Sequence, residues 1–393
     1  MSLSEKQYVP LALKHRPKNF GDLMGQDVLV QTLSSAIINQ RLAHAYLLTG
    51  IRGVGKTTSA RLIASIVNCE SPVITEDNVE VCGICTNCLS FAKGNHPDII
   101  EIDAASRTSV DDVRLIIESA EYRPLLGKYK IFIIDEVHML SKNAFNALLK
   151  TLEEPPAKVI FIFATTEVNK IPITILSRCQ RFDLKRLTTN EIFKLLASIA
   201  KIENISYEEK ALSLIALKAD GSARDGVSML DQASLLSTAS TDKAIDVNLV
   251  HSMLGVSDFN IVISFITAVL HQDAKASLAT LFSVNSHGSD LIYFIENVLN
   301  VIGYITKLSA VPDYIDREYE TYHDSLKEIA VKTRLEILTI LWQIFSKGLL
   351  ELKSSHHQLL AAEMLTIRAI YASHLPSPRE AVELLEKTTR PRQ

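Results

Sequence analysis

Three glycines at 50, 53 and 55 followed by Lys56, Thr57 and Thr58 are residues whose types and spacing could do chemistry. In GIRGVGKTT, Gly50, Gly55, Lys56 and Thr57 fit G-x-x-x-x-G-K-[ST]. Glycine lets the backbone curl until successive N–H groups converge on phosphate oxygens, with the positive end of a helix dipole beneath them. Lys56 then reaches the outer phosphates and the Thr57 hydroxyl ligates magnesium, while Gly50, Gly53, Gly55 and Thr58 complete the nucleotide contacts. An ordinary Gly-rich turn before a helix needs no ligand. The flanks favour the phosphate loop: Tyr46 to Leu48 reads as a buried strand, and Leu62, Ile63, Ile66 and Val67 follow at helical spacing.

Asp135 and Glu136 end the apolar run Ile131 to Ile134. That puts two carboxylates at the C-terminal end of a strand, where open parallel sheets bind ligands. Asp135 is suited to hold magnesium, directly or through water, and Glu136 to orient and deprotonate an attacking water. His138 could couple this site to a partner or pack on the next helix, and packing is the expectation. Thr166, at the tip of the strand beginning at Val159, could hydrogen-bond the terminal phosphate or that water. Arg224, after Gly221-Ser222, is either a surface arginine or a residue swung over the nucleotide from a separate lid. Arg178, in LSRCQRF, is either a surface charge or an arginine finger for a neighbouring subunit's nucleotide.

Cys82, Cys85 and Cys88 fall at C-x-x-C-x-x-C, with Cys69 upstream across a loop. Four thiolates can complete a tetrahedral zinc site, and with no acid, base or open position evident beside it the site reads as structural. In a reducing compartment such clustering argues for metal rather than disulfides.

The elements that position these residues follow from pattern. Ile99 to Ile102, Ile131 to Ile134 and Val159 to Phe163 read as further core strands, with a helix from about Val28 to Asn39 before the first. Ser109 with Asp112 reads as a capping box, and Ala144, Leu148, Leu149 and Leu152 form a helix stopped by Pro155-Pro156. Strands alternating with helices predict a three-layer α/β sheet. From about Leu187 the pattern is helical only, with capping pairs at Thr188/Glu191, Ser206/Glu209 and Ser222/Asp225. The expected domains are 1–186 with a zinc module at about 69–88, a helical lid at 187–246, a helical region at 247–375 and a polar tail at 376–393.

Composition sets the bounds. With 393 residues the chain holds two or three domains, and 47% hydrophobic with 22% charged residues is a globular composition. A net charge of −4 excludes a globally basic nucleic-acid binder, so any such contact is local. No apolar run reaches the length of a membrane span and the N-terminus lacks the apolar core of a signal peptide, so a cytoplasmic chain is expected.

GIRGVGKTT, the cysteine cluster, DAASRTSVDDVR, IDEVHMLSKNAFNALLKTLEEPP, ATTEVNKIPITILSRC and GSARDGVSMLDQA together resemble the gamma/tau subunits of bacterial DNA polymerase III, which are AAA+ clamp-loader ATPases. The resemblance covers roughly residues 8 to 255 closely. It implies a RecA-like α/β P-loop domain with a zinc insertion, an all-α lid and an all-α collar for assembly. It implies use of ATP, Mg2+ and structural Zn2+. The implied partners are delta, delta-prime and further gamma/tau subunits, the beta sliding clamp, and primed DNA through its phosphates. Carried over by motif, Lys56 and Thr57 match Walker A, Asp135 and Glu136 match Walker B, Thr166 matches sensor 1, Arg224 matches sensor 2, and Arg178 matches the finger acting in trans. Cys69, Cys82, Cys85 and Cys88 match the zinc ligands. Arg107 and Thr108, ahead of a helix N-terminus, are the candidates for DNA phosphate contact. Tau forms carry a long linker and domains for helicase and polymerase; none follows the collar here, so a short form or truncated chain is expected. The competing readings are a nucleotide-bound scaffold and a different AAA+ motor.

Overall fold

Five segments become parallel strands: Ala45–Thr49 (β1), Ile99–Asp103 (β2), Lys130–Asp135 (β3), Val159–Thr165 (β4) and Gln180–Asp183 (β5). The computed structural model describes residues 8–372 except 76–77, 107–108, 239–243, 254–258, 287–289, 316–318 and 320–321. Arg107, Thr108 and the tail from Pro376 therefore lie outside the described residues. The strands lie in the order β2-β3-β4-β1-β5. Every residue of β1 and β4 is buried, as strands covered on both faces require.

Alternation along β3 shows the layering. Ile131 and Ile133 join a core with Leu29, Leu33, Ile63 and Ile66, which belong to helices Asp27–Ile38 (α1) and Lys56–Asn68 (α2). Phe132 and Ile134 face the other way, into a core with Val113, Ile116, Phe145 and Leu148 of Val110–Ala120 (α3) and Lys142–Glu153 (α4). Ser109 and Asp112 form the expected capping box, and the Ser141 hydroxyl caps α4 by accepting from the Ala144 N–H at 3.2 Å. In register, Thr49 lies opposite Thr165 and Asp103 opposite Asp135, so the C-terminal strand ends stand level along one edge.

Two features depart from the sequence expectation in this unit. β5 carries no apolar run, because only Phe182 among its residues is buried; an edge strand makes hydrogen bonds without needing a hydrophobic face on both sides. After Leu187 come helices Thr189–Glu203 (α5), Glu209–Lys218 (α6) and Ala223–Thr238 (α7), but the region is not purely helical. Ser206–Tyr207 pairs in parallel with Ala244–Ile245. That pairing commits the Ser206 backbone to a strand, so the expected Ser206/Glu209 cap does not form and Glu208 precedes α6 without a side-chain cap. Thr188 and Glu191 do form a capping box, and Ser222 Oγ accepts from the Asp225 N–H at 3.2 Å.

The chain divides into two compact units, Met1–Ile245 and Asp246–Gln393. Among its described residues the second is all helical, with Phe265 packed edge-on against Phe294 and Phe345 at centroid distances of 5.3 and 6.3 Å. Its helix Leu291–Ala310 corrects one expectation: at 20 residues with a mean hydropathy of 1.2, it is long and apolar enough to cross a membrane. Phe294, Ile295, Val298, Val301, Ile302 and Ile305 on it are nevertheless buried in the core of this unit, and Glu296 pairs with Lys353 at 2.7 Å. It is a core helix here.

Candidate nucleotide site and cysteine cluster

The phosphate loop leaves β1 and turns into α2 through Gly53 at φ 76° and Gly55 at φ 108°, conformations that side chains disfavour. At Gly53 a second constraint applies, because a Cβ there would run into the Ser222 side chain and sit 3.2 Å from Arg224 Cβ. The N-terminus of α7 is docked on the loop at this point, with the Arg224 N–H donating to the Gly53 carbonyl at 3.2 Å. This close approach brings Arg224 to the phosphate loop.

Lys56 is buried, and its ammonium donates to the Gly50 and Ile51 carbonyls at 3.1 and 2.9 Å. Burial pulls its pKa below the ordinary value, while the carboxylates of Glu136 and Asp135 oppose that shift. The Thr57 hydroxyl donates to Asp135 Oδ2 at 2.5 Å, and Asp135 Oδ1 accepts the Glu136 N–H at 2.9 Å. A hydroxyl and a carboxylate oxygen side by side, under a loop open to triphosphate, are the oxygen donor set that magnesium takes.

Sheet order explains the third contributor. β4 lies between β1, which leads into the phosphate loop, and β3, which leads into the acid pair; its tip therefore projects between them. Thr166 there donates to Glu136 Oε2 at 3.2 Å. Glu136 itself is held at φ 47°, a left-handed conformation costing a non-glycine residue about 1–3 kcal/mol.

His138, expected to pack on the following helix, also has polar neighbours. Its side chain is 7% exposed; Nδ1 lies 3.0 Å from Thr165 Oγ1 and 3.4 Å from Glu136 Oε2, and Nε2 lies 3.3 Å from Glu167 Oε1. The Lys170 ammonium holds the Glu167 carboxyl below the usual carboxylate range, with His138 acting in the same direction. Thr165 and Glu167 escaped sequence reasoning, since a threonine ending a strand and an acid in a turn are commonplace.

Two arginines add positive charge. Arg61 pairs with Glu101 at 3.0 Å, and half-buried Arg16 is drawn below its usual pKa by burial and by the like charges of Arg61 and Arg224, against Glu101 and Asp135. The segment around Arg16 is tied to the lid helices: the Tyr8 hydroxyl and Leu11 N–H donate to Asp231, and His15 meets Glu203 at 2.5 Å. Arg178 stands apart from these residues. Its guanidinium donates to the Thr174 carbonyl at 2.6 Å and pairs with Glu153 at 2.5 Å.

The four cysteines converge, with all Sγ atoms within 4.8 Å of one another. A tetrahedron of Zn–S bonds near 2.3 Å requires S···S separations of about 3.8 Å; Cys82 and Cys88 stand at 3.9 Å, far beyond a disulfide bond. Backbone N–H groups of Cys82, Cys85 and Cys88 donate to the sulfurs of Cys69, Cys82 and Cys85 at 3.3–3.4 Å. The Ile84 and Cys85 N–H groups pull the Cys82 thiol down to about 6, whereas burial pushes Cys69 and Cys88 up. A divalent cation supplies the charge that keeps all four as thiolates, so the donor set fits zinc. The cluster is anchored to the sheet by Asn68, whose amide exchanges two 2.9 Å hydrogen bonds with the Tyr129 backbone.

A parallel sheet in this order, a phosphate loop after β1, an acid pair after β3 and a helical lid docked on the loop define a P-loop ATPase fold of the AAA+ class. Residues 25–188 match the family "DNA polymerase III, delta subunit", 191–238 match "DNA polymerase III clamp loader subunit, ATPase lid domain", and 245–385 match "DNA polymerase III subunits gamma and tau domain III". The DNA polymerase III subunit gamma of Buchnera aphidicola subsp. Acyrthosiphon pisum is 37% identical over 93% of this chain and 99% of its own length. The subunit tau of Salmonella typhimurium is 37% identical over 94% of this chain, and the tau/gamma subunit of Haemophilus influenzae 39% over 92%. The chain spans 57% and 51% of the length of those two relatives. It belongs to the gamma/tau subunit family of bacterial DNA polymerase III.

Proposed function

We propose that this chain is an ATPase subunit of a cytoplasmic clamp loader, which uses ATP binding to open a ring-shaped sliding clamp and ATP hydrolysis to leave it closed on primed DNA. The observation that carries the reading is the convergence of Thr57 from the first turn of α2, Asp135 and Glu136 from the end of β3, and Thr166 from the end of β4, a set that a nucleotide-bound scaffold does not need. Residues 1–186 are the nucleotide domain, 187–246 the lid, and 247–375 the collar through which delta, delta-prime and further gamma/tau copies assemble.

ATP would replace the loop carbonyls as the partner of Lys56, and Gly50, Gly53, Gly55 and Thr58 would offer backbone N–H groups to its phosphates. Thr57 and Asp135 would hold a magnesium ion, which would neutralise phosphate charge. Glu136 orients and deprotonates the attacking water, and Thr166 fixes one of its carboxylate oxygens. Arg224, carried by the lid, reports the terminal phosphate by moving with α7. Arg178 serves the nucleotide of a neighbouring copy. DNA is met through phosphates, with Arg107 and Thr108 as the proposed contacts.

The experiment is steady-state ATP turnover of the chain assembled with delta-type partners, with and without clamp and primed DNA. Strong stimulation only when both are present supports the loader; indifference to both in an intact assembly sinks it in favour of a scaffold or another AAA+ machine.

Zinc in the Cys69, Cys82, Cys85 and Cys88 cluster is part of the same proposal. Purified chain should carry about one zinc per molecule, and Cys88→Ser should lose it and melt about 5–10 °C lower. Nucleotide affinity should stay within a few fold, since the cluster touches α2 at its far end. Metal analysis and thermal melts decide this, and a zinc-free chain with native stability would refute it.

A further inference from the structure

His138 is a buried polar side chain that the proposed chemistry leaves without a role. Thr165 Oγ1, its neighbour at 3.0 Å, also accepts the Glu167 N–H at 3.0 Å, so the hydroxyl hydrogen is free to point at an acceptor. Assigned from this network, Nδ1 accepts from Thr165 and the ring proton sits on Nε2, facing Glu167 at 3.3 Å. The ring thus joins β4's tip to the segment after it, and its Nδ1 edge stands 3.4 Å from the same Glu136 Oε2 that Thr166 holds at 3.2 Å.

We propose that His138 is a positioning residue for Glu136, bracing its strained turn against the tip of β4 through Thr165 so that the carboxylate that follows from that turn keeps one place. The link is short: Glu136 precedes the 3-10 turn Val137–Met139, which returns His138 beneath it, and the Met139 N–H closes that turn on the Glu136 carbonyl at 2.9 Å. A left-handed residue relaxes unless its surroundings over-determine it. The brace supplies that over-determination, with Val137 buried on one side and His138 hydrogen-bonded on the other. A carboxylate misplaced by about 1 Å can cost as much as 100-fold in rate without weakening substrate binding.

This inference rests on the proposed role of Glu136, and the test separates the two. Nucleotide affinity and single-turnover hydrolysis would be measured in the assembled complex for Glu136→Gln, His138→Ala, His138→Asn and Glu167→Gln. His138→Ala should slow hydrolysis about 10- to 100-fold with affinity within about twofold of native. His138→Asn, which offers an amide oxygen near the Nδ1 position, should recover part of the rate, and Glu167→Gln should cost less in the His138→Ala background than in native protein. Hydrolysis within twofold of native in His138→Ala, or affinity lost in proportion to rate, overturns the positioning role. If Glu136→Gln itself hydrolyses normally, the reading of Glu136 fails and this one with it.

Discussion

Glu136→Gln should bind ATP with near-native affinity and hydrolyse it about 10²–10⁴-fold more slowly. Glutamine keeps the size and can still accept from the Thr166 hydroxyl, which stands 3.2 Å from the carboxylate. What it loses is the proposed base for the attacking water. Lys56 and Thr57, the proposed holders of phosphate and magnesium, are untouched, so binding and turnover should separate cleanly. Single-turnover hydrolysis beside equilibrium binding of a fluorescent ATP analogue makes the measurement. Equal losses in both would mean that Glu136 supports the loop rather than the reaction.

Arg178→Ala should be nearly silent in the isolated chain and lower turnover in the assembled loader by about 10³-fold or more, the scale on which arginine fingers act. The reason lies in its surroundings. Among the described contacts of its guanidinium are the Thr174 carbonyl, Ser177 Oγ and Glu153 Oε1, none of them in the phosphate loop or the acid pair of its own chain. The Glu153 carboxylate is 52% exposed, and a solvated ion pair is worth about 0–1 kcal/mol. Arg178 can therefore leave it for a triphosphate at little cost. Assemblies that mix native and variant copies test the trans assignment, because the defect should follow the neighbour's nucleotide. A loss of turnover in the isolated chain would place the arginine in its own site.

The phosphate loop, the acid pair and the cysteine cluster were legible because each is a local constraint. G-x-x-x-x-G-K-T is dictated by a loop that must curl around phosphates and open into a helix. Three cysteines at two-residue intervals leave little for them to do but share a metal. The core strands were legible too, since burial on both faces demands unbroken apolar runs such as Ile131 to Ile134.

What sequence reasoning left open or mistook depends on partners distant along the chain. The edge strand Gln180–Asp183 exists because β1 offers it backbone hydrogen bonds, and Ser206 is drawn from a cap into a strand by Ala244. Arg224 is exposed, as its surface reading allows, but the docking of α7 on Gly53 places its backbone at the phosphate loop, which no local spacing shows. His138 looked like packing because nothing local announces that Thr165 and Glu167 surround it. The sequence by itself determined the chemistry available, meaning which residues can hold phosphate, magnesium and zinc, because those demands are met within a few consecutive residues. Only the tertiary structure decided how those groups are braced and which of them stand together, because strand order and lid docking bring together side chains that no spacing along the chain relates.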